Sequence, residues 1–218
     1  MAWAKHRGLL LALAFVGYGI WGLSNGDTAD LVFGLVIGGL FLLRWGLVVS
    51  GKLDALHEGH RQELRQALPG LLFASLYLQR TPWWMRWLGF HGRHGYVCGL
   101  PDGLVVVPIR RYRMSLRLDA RERHAAGAIR ALRFRAEHPE LGLKGLATAE
   151  VQMGGPIGLL VELDTGSGPE EFYTSGRGLA RLRLWEQARG EGRLEALEPG
   201  DFELGEEQIL QAVRPLLA

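Results

Sequence analysis

A single cysteine, Cys98, excludes any internal disulfide, so the chain shows no sign of having been built for an oxidising compartment. Lysine is scarce too: Lys5, Lys52 and Lys144 are the only three, and arginine supplies the rest of the 25 basic residues. Glycine, leucine and arginine are heavily used instead, which points to a GC-rich bacterial source. No Gly-rich phosphate loop, dinucleotide fingerprint or nucleophile elbow occurs, so the familiar nucleotide-binding and serine-hydrolase signatures are missing. Internal repeats and low-complexity linkers are also absent, and no cofactor is implied.

What is present is a charge pattern hidden by the small net charge of +2. Residues 52–138 carry fifteen Lys/Arg against seven Asp/Glu, and residues 139–218 carry seven against fourteen. The chain therefore divides into a basic and an acidic half.

Two apolar runs come first, Gly8–Leu23 and Leu31–Val49, separated by Ser24-Asn-Gly-Asp-Thr-Ala-Asp30. Their composition predicts a transmembrane helical hairpin over residues 1–51, with spans at about 8–23 and 31–49. The first run lacks a small-x-small cleavage site, which argues against a signal peptide. Lys5 and Arg7 precede the first run and Lys52, Arg61 and Arg65 follow the second, so both termini are expected on the cytoplasmic side of a bacterial inner membrane. Gly34 and Gly38 form a GxxxG, a spacing that lets helix backbones approach closely.

Residues 52–92 read as a helix up to Pro69-Gly70, a short apolar run at Leu71–Leu78, and a Trp-rich interfacial segment. There Trp83, Trp84 and Trp87 are interleaved with Arg80 and Arg86, a mixture suited to the headgroup layer of a bilayer. From residue 93 the pattern is that of a mostly antiparallel α+β domain, placed in the cytoplasm. Tyr96–Leu100, a turn at Pro101-Asp-Gly103 and Leu104–Ile109 predict a β-hairpin. A following strand alternates Tyr112, Met114, Leu116 and Leu118 with Arg111, Arg113 and Arg117, next to Arg110. Asp119 with Glu122 predicts a capped helix to about Glu137. Strands near 146–153, 157–164 and 171–174 and helices over 177–189 and 206–217 complete the expectation.

Three patterns carry candidate chemistry. His57-Glu-Gly-His60 and His91-Gly-Arg-His94, with Cys98 four residues on, offer metal-ligand types at i, i+3 spacing. Leu163-Asp-Thr-Gly-Ser167, preceded by Leu159-Leu-Val161, resembles the catalytic signature of aspartic proteases, which implies Asp164 as a catalytic carboxylate. That family's later apolar-apolar-Gly element is only half matched by Phe202-Glu-Leu-Gly205, and a hairpin turn accounts for Asp-Thr-Gly-Ser-Gly fully. The order helix, three strands, helix over 119–189 is similar to a double-stranded RNA-binding domain, with Thr174-Ser-Gly-Arg-Gly-Leu-Ala-Arg181 as the start of its last helix. The lysines that grip phosphate in that family are missing.

The leading expectation is a membrane-anchored interaction module or structural or accessory subunit of an inner-membrane assembly, with an enzyme ranked below it. Its basic half would meet anionic headgroups through Arg80, Arg86, Arg110, Arg111, Arg113 and Arg117. Its acidic half would meet other subunits or a second copy. A tethered nucleic-acid binder ranks next, then a membrane-bound hydrolase that uses Asp164 or a metal.

Overall fold

The computed structural model describes residues 2–49, 52–80, 93–110, 115–148, 159–166 and 168–217. It divides into two compact units, Met1–Gln62 and Glu63–Ala218.

The first unit is a helical hairpin. Helix α1 (Ala2–Ser24) ends where Gly26, at φ 80°, turns the chain; the Asp27 amide donates back to Gly22 O at 2.9 Å. Asp27 then starts α2 (Thr28–Val49), its Oδ1 accepting from the Ala29 amide at 2.9 Å and the Asp30 amide at 3.3 Å. The two helices meet along small residues: Ala12, Gly19 and Gly22 on α1 and Gly34 and Gly38 on α2 are all buried. A Cβ on Gly34 would lie 2.5 Å from Phe15 O and 2.7 Å from Gly19 Cα, and one on Gly38 would lie 3.1 Å from Ala12 O. Only glycine permits backbones this close. Phe15 and Phe33 pack edge to face at 6.2 Å.

The expected membrane-spanning character of this hairpin is corrected by its dimensions. Among the described residues no helix is long and apolar enough to cross a membrane. The physical reason lies in where the charges fall. The charge-free run of α2 extends only from Leu31 to Leu43, between Asp30 and Arg44. Those residues rise about 20 Å, and Gly8–Leu23 of α1 about 24 Å, against a hydrocarbon core of about 30 Å.

The second unit opens with the last turn of α3 (Lys52–Ala67) and is built on one seven-stranded sheet. Its strands are β1 (Phe73–Gln79), β2 (His94–Leu100), β3 (Gly103–Pro108), β4 (Glu122–Ala125), β5 (Ala131–Ala136), β6 (Leu159–Asp164) and β7 (Pro169–Thr174). All neighbours are antiparallel in the order β4-β3-β2-β1-β7-β6-β5, so two meanders, β1 to β4 and β5 to β7, join where β1 pairs with β7. A short helix α4 (Gly142–Ala147) lies between β5 and β6, and α5 (Gly176–Gly190) and α6 (Glu206–Val213) follow β7.

Period-two alternation decides which residues enter the core. Phe73 and Tyr77 of β1, Val97 of β2, Leu104 and Val106 of β3, Leu132 of β5, Val161 and Leu163 of β6 and Phe172 of β7 share one face. Helix α5 covers that face with Leu182, Trp185 and Ala188. Trp185 is fully buried and its Nε1–H donates to Leu100 O at 2.9 Å, so the helix is pinned to the β2–β3 turn. The helix begins at Ser175, whose Oγ accepts from the Gly178 amide at 3.0 Å. The opposite faces of β2 and β3 carry Tyr96, Cys98, Val105 and Val107, which are buried under Leu64, Leu68, Ile109 and Leu116. Both faces of β2 and β3 are therefore dry, which explains their near-continuous apolar sequences.

Several expected elements differ. Residues 119–137 are not one helix but β4, a 3-10 turn at Ala126–Ala128, and β5. In β5, Leu132 and Phe134 alternate with Arg133 and Arg135, and pairing with β6 rewards that period, so tertiary pairing outweighs the local capping signal at Asp119 and Glu122. Residues 142–147 form α4 where a strand was expected to begin, and 149–158 lie outside the described residues. The apolar run Leu71–Leu78 is the central strand β1. The order resembling an RNA-binding domain is consequently not present. Of the arginine-rich strand, only residues 115–118 are described, with a bridge between Ile109 and Leu116.

Candidate functional site

Two surfaces hold features that folding alone does not require. On the hairpin, Leu10, Leu13, Tyr18, Ile20, Trp21, Leu23, Val32, Phe33, Leu35, Val36, Leu40 and Leu42 are exposed, Trp21 by 61% and Val32 by 60%. The glycine seam that brings the helices together turns these large side chains outward. Twelve large apolar side chains exposed on two helices form an uncommon concentration of apolar surface.

The second surface is the face of β5, β6 and β7 turned away from α5. Arg80, just past β1, donates to Glu171 Oε2 at 2.6 Å and lies 3.0 Å from Glu137 Oε1. Glu171 also meets Arg135 at 3.6 Å, and Tyr173 OH donates to Glu137 Oε2 at 2.8 Å. Arg133 pairs with Glu162 at 2.9 Å. The hydrogen bond to Glu171 raises the Arg80 pKa, with partial burial opposing it. A groove of about 270 Å³ runs beside the cluster, lined by Arg133, Phe134, Arg135, Leu160 and Glu162. Arg80, Arg133 and Arg135 from before position 138 thus meet Glu162 and Glu171 from after it, with Glu137 adding a carboxylate from the basic half itself.

The structure disperses the remaining residues singled out by sequence. Arg117 lies 3.4 Å from Asp119, and exposed Arg110 has its amide bonded to Ser115 O at 2.8 Å. Arg86, Arg111, Arg113, Trp83, Trp84, Trp87 and His91 lie outside the described residues. Asp164 Oδ1 accepts from the Gly166 amide at 2.8 Å, and Gly166 adopts φ 87°, so this carboxylate shapes the β6–β7 turn. His57 and His60 have ring centroids 6.4 Å apart on α3. His94 and Cys98 both lie on β2, where four residues of strand separate them by about 13 Å, too far to share an ion. Cys98 is fully buried, and burial pushes its thiol up to about 12, far from the thiolate that metal ligation needs.

Arg181, within the stretch likened to the last helix of an RNA-binding domain, and Arg183 and Arg189 further along α5 serve the fold. Arg181 donates to Phe202 O at 2.9 Å and Ala74 O at 3.3 Å, and Arg183 donates to Ala212 O at 2.7 Å and stacks over Phe134. Arg189 reaches Ile129 O at 3.0 Å.

Sequence reasoning missed one constellation. Among the described residues, Glu122, His124 and Glu170 are the group of three potential metal ligands whose donor atoms come together, all within 4.8 Å of one another. Glu122-Arg-His124 places both ligands on one face only if the segment is a strand, and reading it as a helix hid the pair. No protein-family model matches the chain, and no curated protein matches its sequence.

Proposed function

We propose that the protein is an interaction module, an accessory subunit that joins a larger assembly by burying the outer face of its helical hairpin against another protein. The observation that supports this reading is the row of large apolar side chains from Leu10 to Leu42 that the glycine-seamed hairpin leaves exposed. Fully burying one such side chain is worth about 1.5–3 kcal/mol, so several must be covered together to exceed the cost of association. In the sheet unit Arg80, Arg133 and Arg189 are engaged with the unit's own carboxylates and backbone, so the hairpin is the better candidate surface.

A photoreactive residue placed at Phe33 or Val36 of the full chain, irradiated in cells of the source organism, tests the reading. A discrete crosslinked protein, whether another subunit or a second copy, is the expected result. Crosslinks to lipid alone, or to nothing, would overturn it.

A further inference from the structure

We propose that Glu122, His124 and Glu170 bind a divalent first-row transition metal ion, with Zn²⁺ as the reference. Glu122 and His124 lie opposite Val106 and Leu104 in the β3–β4 ladder, and those two residues belong to the core face. Directly opposed residues share a face, so both ligands point to the inner side of the sheet. Glu170 precedes core residue Phe172 by two positions on β7 and takes the same side. In sheet order β3, β2 and β1 separate β4 from β7, so the sheet must roll to bring these three donors within 4.8 Å.

The chemistry of the donors suits such an ion. One imidazole nitrogen and two carboxylates are borderline-to-hard ligands, and three protein ligands leave a fourth position for water or an outside ligand. Around an ion with bonds of about 2.1 Å, tetrahedral donors are about 3.4 Å apart, so the site closes by about an ångström. Glu122 and Glu170 are exposed and can swing that far. An independent observation points the same way: His124 Nε2 is buried and, among the described residues, has no hydrogen-bond partner. A buried polar nitrogen left unpaired is costly, and an ion would satisfy it. The Tyr77 phenol is pushed up first by burial and further by the charges of Glu122 and Glu170, while Arg93 at 3.6 Å from Glu122 offsets part of the negative charge. Once bound, the ion would clip the last strand of the first meander to the last strand of the second.

The test is calorimetric titration of untagged, chelator-stripped full chain with ZnCl₂ near pH 7, with Co²⁺ absorption as a second readout. One ion per chain is expected, with affinity reduced at least about tenfold in Glu122→Gln, Glu170→Gln and His124→Gln. It should be unchanged in the double variant His57→Gln, His60→Gln, and Zn²⁺ should raise the thermal midpoint of the wild type but not of His124→Gln. Absence of saturable binding, or wild-type affinity in folded His124→Gln, would overturn the proposal. If that variant does not fold, unchanged affinity in both glutamate variants does so instead.

Discussion

Cys98 offers a direct check on the placement of the sheet, because it is the only thiol in the chain and sits fully buried on inner strand β2. A chromogenic disulfide reagent added in excess at pH 8 can reach it by two routes. In the closed state, raising the thiol from its ordinary 9.0 to about 12 lowers the thiolate fraction from about one in ten to about one in ten thousand, about a thousandfold. Through opening, an inner strand is exposed only at close to the global unfolding free energy; at the lower bound of about 5 kcal/mol the open fraction is below about one in a thousand. Either route predicts labelling at least about a thousandfold slower in native buffer than in guanidinium chloride, with one thiol released in each case. Native labelling within about tenfold of the denatured rate would refute the packing of Cys98 under Leu64, Leu68 and Leu116.

The same burial sets an alkaline limit. Cys98 and Tyr77 both have folded pKa values raised above their ordinary 9.0 and 10.0, so their contribution is complete below about pH 9 and is lost as pH rises, first through Cys98 and then Tyr77. Thermal scans should show stability falling by up to about 1.4 kcal/mol per pH unit for each group, from about pH 9 for Cys98 and with Tyr77 adding as much again above about pH 10; Cys98→Ala should flatten the step between pH 9 and 10, and an identical slope would contradict it. In the hairpin, Gly34→Ala forces a methyl against Phe15 O and Gly19 and should cost about 1–3 kcal/mol, less the gain in helix propensity, whereas Gly39→Ala, with nothing within 4 Å, should be neutral or stabilising by up to about 1 kcal/mol. Equal shifts in the helical melting signal would sink the close approach. Arg80 and Glu171 are about a third exposed, so a double-mutant cycle in urea should yield a coupling below about 1 kcal/mol that shrinks with salt; a larger, salt-insensitive value would mean a drier site.

How much was legible in the sequence followed the range of the interaction responsible. The hairpin Tyr96–Ile109, the α5 helix after Ser175 and the two N-terminal helices with their glycine seam are written locally, in a two-residue turn, a cap and a small-residue spacing. The span of 119–137 was not legible, because Asp119 and Glu122 imitate a capping box while the strand identity of Arg133 and Arg135 comes from pairing with β6. Membrane spanning was misjudged because average apolarity outweighed the positions of Asp30 and Arg44, which shorten the charge-free run.

By itself the sequence determined an antiparallel α+β unit following an apolar helical pair, a strand at Tyr96–Leu100 that carries Cys98, and a charge asymmetry along the chain. Tertiary structure alone decided where charges of the two halves meet, since joining β1 to β7 sets Arg80 against Glu171, residues 91 positions apart. It likewise decided that Glu122 and His124 meet Glu170. Local sequence fixes which face a side chain takes, but only the order and curling of the strands fix what that side chain meets.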